Sequence, residues 1–254
     1  MLHAWDWAIA DRWAPEWSFG YATLTVYPDP HSETNSVDGY CNHFVSAGTD
    51  WATLRGAAGN DFIDNSANIL ASQIYSHTDT DKWKDLERGI FLFLTSSLGA
   101  GNIIDGKFSI YGASKADNLS ITPNLNIYVS APASNTTLAG GDFDSLGAIA
   151  LCDTAITYAG FSTAGYNDFV LNADGLTNIN KTSVSKFGTR NVNYDVSGST
   201  PVWSSNTYSF HNCFGADQAG TSNDPKLVVN YEYPKIIIDA GSYDITGQSA
   251  GLLK

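Results

Sequence analysis

Positive charge is scarce in this sequence. Only 13 of its 254 residues are Lys or Arg, against 26 Asp or Glu, and the formal net charge is −13. A surface that holds nucleic acid neutralises phosphates with Lys and Arg, and docking on an anionic bilayer draws on the same cations. The balance therefore argues against both partners. Long apolar runs are missing too, and without about eighteen consecutive apolar residues there is no candidate membrane span. The opening segment carries Asp6 and Asp11 inside its apolar stretch and has no basic flank, so it does not read as a secretory signal. An extracellular location would then be reached by another route, such as release of virions at lysis.

Cysteine is sparse and odd in number. Cys41, Cys152 and Cys213 lie far apart, in neither a disulfide framework nor a CxxC metal pattern. They read as small buried apolar side chains, with one bridge plus one free thiol as the alternative. The five histidines, His3, His31, His43, His77 and His211, show no HxH or HxxxH spacing that would bring two imidazoles to one metal. They read as turn or surface residues. No GxSxG elbow is present, and no Ser or Cys stands in a recognisable nucleophile motif.

Helix signals are few. Apart from the N-terminal segment, the one candidate longer than two turns is 50–72, and Gly56 and Gly59 interrupt it. What the sequence does contain is strand and turn punctuation: short β-branched and aromatic runs between clusters of Gly, Asn, Asp, Ser and Pro. Candidate strands are 21–27, 89–94, 105–111, 124–130, 148–158, 166–171, 184–193, 208–214 and 226–233. Phe108 and Ile110 share one face of such a strand with Ser109 on the other, and Leu227, Val229 and Tyr231 form another inward set. The stretch 172–183 reads as a turn plus a short helical piece, with Leu176 and Ile179 at i, i+3. Many short strands at this spacing predict an all-β chain with a β-sandwich, jelly-roll-like body.

Both ends carry apolar residues that so few residues cannot bury alone. Residues 1–19 form an aromatic arm with Trp5, Trp7, Trp13 and Trp17, four of the seven tryptophans. A break near Pro234 separates the sandwich, 20–233, from a Gly-rich appendage, 234–254. That appendage looks like two short strands joined at Ala240-Gly241, with Ile236, Ile238, Tyr243 and Ile245 as its apolar residues. Unless something covers them, both ends expose apolar patches. The expected cover is a sister molecule, which makes these eight residues candidate assembly contacts and the protein a homo-oligomer; the competing reading docks the ends on their own domain.

The segment from Arg88-Gly89-Ile90-Phe91-Leu92-Phe93-Leu94 through Ser96-Ser97-Leu98 to Phe108-Ser109-Ile110-Tyr111, with the late Asp224-Pro225-Lys226-Leu227-Val228-Val229, resembles DNRLRE-type β-sandwich domains over roughly residues 20–233. Leu94 stands where an Asp is usual, and the motif that names the family is absent. The resemblance implies a jelly-roll-like sandwich akin to carbohydrate-binding modules. The tail from Ile238 to Leu252 is similar to Gly-rich units at the C-termini of phage structural proteins, which implies a tail, fibre or decoration component.

Three further groups of residues carry candidate chemistry. Asp142 and Asp144 would lie on one side of an extended chain, as would Asp79 and Asp81. Such pairs read as solvated turns, as a hard-ion site for Ca²⁺, or as the paired acids of a glycosidase, in descending order of weight. Trp51, Trp83 and Trp203 are candidate glycan-binding residues if exposed, since sugars stack on flat aromatic area; core packing is the competing reading for each. No other cofactor is implied. The sequence thus predicts a non-catalytic structural protein of a phage-like virion or extracellular filament, held by its terminal arms, with a carbohydrate-binding module as the alternative.

Overall fold

The computed structural model describes residues 16–238 and 241–243, with side chains described for 18–235. The chain is mostly β and forms an antiparallel sandwich-like fold. One sheet contains β1 (Glu16–Val26), β6 (Asn102–Asp117), β8 (Tyr166–Val170), β11 (Lys226–Ile238) and β12 (Gly241–Tyr243). β11 has β1 along one edge and β6, then β12, along the other, while β8 pairs with the middle of β6. The second sheet contains β2 (Asp38–Thr49), β3 (Asp61–Ile63), β4 (Asn68–Ser76), β5 (Trp83–Leu94), β7 (Leu125–Val129), β9 (Val184–Asn191) and β10 (Tyr208–Phe214). β6 belongs to both sheets: its first half pairs with β11, and its last residues, from Gly112 on, pair with β10.

β5 is the strand on which both cores depend. Phe91 and Phe93 point into the core between the sheets, with Phe108, Phe169, Phe187, Leu227 and Val229. Leu86, Ile90 and Leu92 point the other way, into a second core closed by α1 (Trp51–Gly56) and by loop residues such as Leu119, Ile121, Leu138 and Phe143. Period-two alternation places successive side chains on opposite faces, so a strand covered on both sides reads as the unbroken apolar run Gly89-Ile90-Phe91-Leu92-Phe93-Leu94. Phe108 stacks on Phe187 at 5.8 Å and meets Phe93 edge-on at 5.6 Å, the arrangements favoured by the ring quadrupoles.

A buried charge cluster ties the second core together. Asp195 is fully buried and accepts from two guanidinium groups: Arg88 Nε and Nη2 at 2.9 and 2.6 Å, and Arg190 Nε and Nη2 at 2.8 Å each. The remaining arginine donors reach the carbonyls of Phe143, Arg55 and Gly147. Burial pushes the Asp195 carboxyl up, but the Arg88 charge and the bonds from both arginines outweigh it and hold it below the usual carboxylate range.

Several strands match the sequence reading closely, and β10 coincides with 208–214. The helix expected over 50–72 is corrected. Only Trp51–Gly56 is helical, capped by Asp50 accepting from Thr53 N at 2.9 Å, and β4 (Asn68–Ser76) occupies the end of that stretch, its alternation changing phase between Ala71 and Ser72 at an irregularity in its pairing with β10. The strand expected over 148–158 is also corrected. It makes two isolated bridges, Ala150 to Tyr128 and Ile156 to Leu125, since Leu151 and Cys152 are both buried and the alternation fails. β9 ends at Asn191, whose side chain accepts from Tyr194 N and caps a π-helical turn. The short helical piece expected after Asn172 is α2 (Ala173–Thr177), capped by Asn172 accepting from Gly175 N. β11 runs through Pro234 without interruption, so that position is a point along a strand rather than a break. β12 pairs back on β11 with Ile238 opposite Gly241, as the expected junction at Ala240-Gly241 requires.

Removing the Asp195 carboxylate leaves two buried guanidinium groups facing each other. The expected loss for Asp195→Ala is about 3–5 kcal/mol, read from urea unfolding at neutral pH. A loss below about 1 kcal/mol would mean that the cluster contributes no more than a surface ion pair.

Candidate functional sites

Two of the three expected glycan platforms are not at the surface. Trp51 and Trp83 are each 2% exposed and meet edge-on at 5.9 Å in the second core. The Asp50 cap starts α1 in an orientation that lays Trp51 inward, where its Nε1 donates to Tyr194 O at 3.3 Å. Trp203 packs partly buried against the same core, with its Nε1 donating to His77 O at 3.1 Å. Trp51 and Trp83 are corrected to core residues, while Trp203 keeps part of its surface exposed.

Asp142 and Asp144 do not share a face, because they lie in a 3-10 turn, Gly140–Ser145. Asp142 is buried, with its two oxygens accepting from the backbone N–H groups of Ala133 and Ala139, while Asp144 points to solvent. The Ca²⁺ alternative loses its paired oxygens here, since Asp142 is already spent on the turn. Among the described residues, no group of three or more His, Cys, Asp or Glu is arranged to hold a metal. Asp79 and Asp81 sit exposed between β4 and β5.

All three cysteines are free and buried, and burial pushes the thiols of Cys41 and Cys213 well up. His211 departs from the surface reading: it is fully buried on β10, its Nδ1 is 3.1 Å from Ser72 Oγ, and burial lowers its pKa to about 3.

Of the proposed assembly contacts, Trp5, Trp7, Trp13 and Ile245 lie outside the described residues. Trp17, Ile236, Ile238 and Tyr243 fall on one terminal ribbon. β1 pairs with β11 over its whole length, Trp17 opposite Ile236, without a register shift, and Tyr243 lies opposite Ile236 on β12. β6 leaves β11 at Glu232, so the ends of β1 and β11 continue beyond β6. Gly20 lets this ribbon close up: a Cβ there would come within 2.4 Å of the Tyr233 ring. Among the described residues β1 is the terminal strand of its sheet, and on its outward face Phe19 is 63% and Tyr21 70% exposed.

Sequence reasoning did not find a second surface, on the inner face of the second sheet past the end of the first core. Residues directly opposite each other in neighbouring strands share a face. One row there reads Asp61, Asn42, Glu87, Gln73, Phe210 across β3, β2, β5, β4 and β10; the next reads Phe44, Asp85, Tyr75, Tyr208. Asp85 and Glu87 form its floor at 7% and 5% exposure, Asn42 Nδ2 donates to Asp85 Oδ1 at 3.0 Å, and Glu87 Oε2 has no hydrogen-bond partner. Burial, with the charge of Asp61, holds both carboxyls above the usual range, and for Glu87 the charge of Asp85 and the hydrogen bond the two carboxyls share push further the same way. The same acids, after burial, raise the Tyr40 hydroxyl to about 12. The signal available in the sequence was Asp85-Leu86-Glu87, two acids at i, i+2 inside a strand.

Neither a scan against protein-family models nor a search of curated proteins finds a match to this chain. The likeness to DNRLRE-type domains therefore rests on the segments around Arg88–Tyr111 and Asp224–Val229 alone.

The raised acids set a pH dependence. Burial and the Asp217 charge push Asp224 to about 6, and Asp38, Asp85 and Glu87 shift in the same direction. Carboxyls of the unfolded chain titrate near about 4, so between about pH 4 and 6 the folded state holds protons that the unfolded chain has released. This stabilisation is present below about pH 4 and is lost as pH rises through about 6. The melting temperature should therefore fall between about pH 5 and 8. Glu87→Gln, neutral throughout, should melt above the parent at the upper end and show a shallower dependence. A melting temperature that rises over that interval, or an undiminished slope in the variant, would refute the assignment.

Proposed function

We propose that this chain is a non-catalytic structural protein whose terminal ribbon joins copies of itself, as a decoration, fibre or tail component of a phage-like particle or as the subunit of an extracellular filament. The observation that carries this reading is the outer edge of β1, which pairs with no further strand among the described residues. Sheet edges are usually blunted by Pro, Lys, a bulge or shortness, because unpaired backbone groups recruit another strand. β1 is eleven residues long, contains neither Pro nor Lys, and runs without a bulge.

Charge favours the same surface. β1, β11 and β12 carry Glu16 and Glu232 against Lys226 and Lys235, a net charge of zero in a chain of −13. Two copies meet with least repulsion at this ribbon. An antiparallel pairing of β1 with its own copy is isologous and closes around a two-fold axis; centred on Gly20, it sets Phe19 of one copy opposite Tyr21 of the other. Strand addition supplies affinity through backbone hydrogen bonds, and repetition along a particle or filament multiplies it.

The non-catalytic part of the reading is supported by what burial does to the reactive groups. The Cys41, Cys152 and Cys213 thiols are held protonated, and a His211 imidazole with a pKa of about 3 is a poor proton acceptor at neutral pH.

In sedimentation velocity at about 100 µM, the parent should run as a dimer or larger species that dissociates on dilution. Phe19→Lys with Tyr21→Lys, both at exposed positions, should sediment as a folded monomer at every concentration. A parent that stays monomeric over the whole range removes the reading, as does a double variant that associates like the parent.

A further inference from the structure

Beside the β1 edge, the outward face of the first sheet carries a shallow groove of about 400 Å³, lined by Tyr21, Ala22, Thr23, Asn230 and Ile104. Ile104 is there because β6 bulges: Asp105 lies opposite Asn230 and Ile103 opposite Tyr231, so Ile104 has no partner on β11. The extra residue leaves Ile104 and Asp105 both exposed, where regular alternation would send one of them to the core. Ile104, 44% exposed, forms one apolar wall of the groove, and Tyr21 forms the other. The floor is polar but already paired. Thr23 Oγ1 donates to Asn230 Oδ1 at 2.6 Å, and Asn230 Nδ2 donates to Asp105 Oδ1 at 2.7 Å. A flat ring laid over this floor leaves both bonds intact and so avoids the cost of stranding a polar group.

Strand register names the ring. On the ribbon reading, on which this contact rests, β1 pairs antiparallel with its own copy about Gly20. Thr23 of one copy then lies directly opposite position 17 of the other, which is a tryptophan. Positions 17, 19, 21 and 23 fall on one face of a strand that pairs without a register shift, and 19, 21 and 23 are exposed. Thr23 is short, so a large group opposite it has a way over it into the groove. Size favours the same residue. A stable interface buries at least about 1,200 Å², and the Phe19 and Tyr21 rings of two copies supply about 600–1,000 Å². A third ring on each copy adds about 300–500 Å² and closes that gap, and Trp is among the residues that most often dominate interface energies. We propose that Trp17 of each copy lies across Thr23 of the other, fills its groove as far as Ile104, and thereby anchors the ribbon pair.

The test is sedimentation velocity on the full chain across a dilution series. Trp17→Ala and Ile104→Asp should each weaken dimerisation by at least about tenfold, and both should retain the parent's thermal unfolding transition. Ile104 lies two strands in from the edge, so its substitution leaves the backbone pairing of β1 untouched and reports on the groove alone. Ile149→Asp, an equal change of character at a 68% exposed position beside β7, should dimerise like the parent. Register is read separately by oxidising an equimolar mixture of Phe19→Cys and Tyr21→Cys chains. Pairing about Gly20 sets these positions about 4.5–5.5 Å apart, within disulfide reach, so the mixture should cross-link faster than either variant alone. The three native thiols are buried. A parent that dimerises while Trp17→Ala or Ile104→Asp associates undiminished overturns the anchor and leaves the ribbon reading standing. Loss of dimerisation in Ile149→Asp, or no preference for the mixed cross-link, overturns it too. A parent that never dimerises removes both.

Discussion

The second core of this protein is organised around one buried carboxylate. Asp195 sits in a π-helical turn after β9 and is gripped by Arg88 from β5 and Arg190 from β9. Two cations and one anion leave a net positive charge inside the protein, which is tolerable only because the outer nitrogens spend their donors on carbonyls from α1 and from the loops at Phe143 and Gly147. Those bonds pin a short helix, a 3-10 turn and a loop onto the back of the sheet. The Arg88 guanidinium lies 3.7 Å from the centre of the Phe143 ring, so the same group that neutralises Asp195 also packs the loop that closes the core.

That anchoring explains how β5 can be covered on both faces. A sheet in a plain sandwich keeps one face wet, whereas here the outer face carries Leu86, Ile90 and Leu92 under loops and one short helix. Loops cannot satisfy their own backbone in an apolar layer, and the arginine donors supply part of what they lack. The other face changes character along its length. Phe91 and Phe93 lie under the first sheet, and two strand positions back toward the N-terminus the same side presents Glu87 and Asp85. There the strand switches from aromatic to acidic while staying buried.

How much of this was legible in the sequence followed from how far each feature depends on local pattern. β6, β10 and β11 alternate apolar and polar residues, and their positions could be read directly. β2, with Gly39, Asn42 and Gly48 among its residues, is poor in β-branched side chains and was missed; pairing with β5 along most of its length holds it in place. The 148–158 stretch has the composition of a strand but not the alternation, and it was misread for that reason. Trp51, Trp83 and Asp142 were legible as chemistry and not as location, because exposure is set by tertiary contacts that no local window contains. The acid pair on β5 was visible as spelling, yet its meaning depends on Asn42 and Gln73, far away in sequence and adjacent only through strand register.

The partition of charge bears on where copies of the chain can meet. With the ribbon strands at net zero, the whole formal charge of −13 belongs to the rest of the chain. Self-repulsion between bodies opposes any contact that brings the sandwiches face to face, whereas a contact at the ribbon, whose ends extend past β6, leaves the charged bodies apart. Salt shortens the range of that repulsion, to about 8 Å at physiological ionic strength, so ribbon pairing becomes easier as salt rises. On this reasoning, joining subunits through the first sheet leaves the acid-floored face of the second open to solvent.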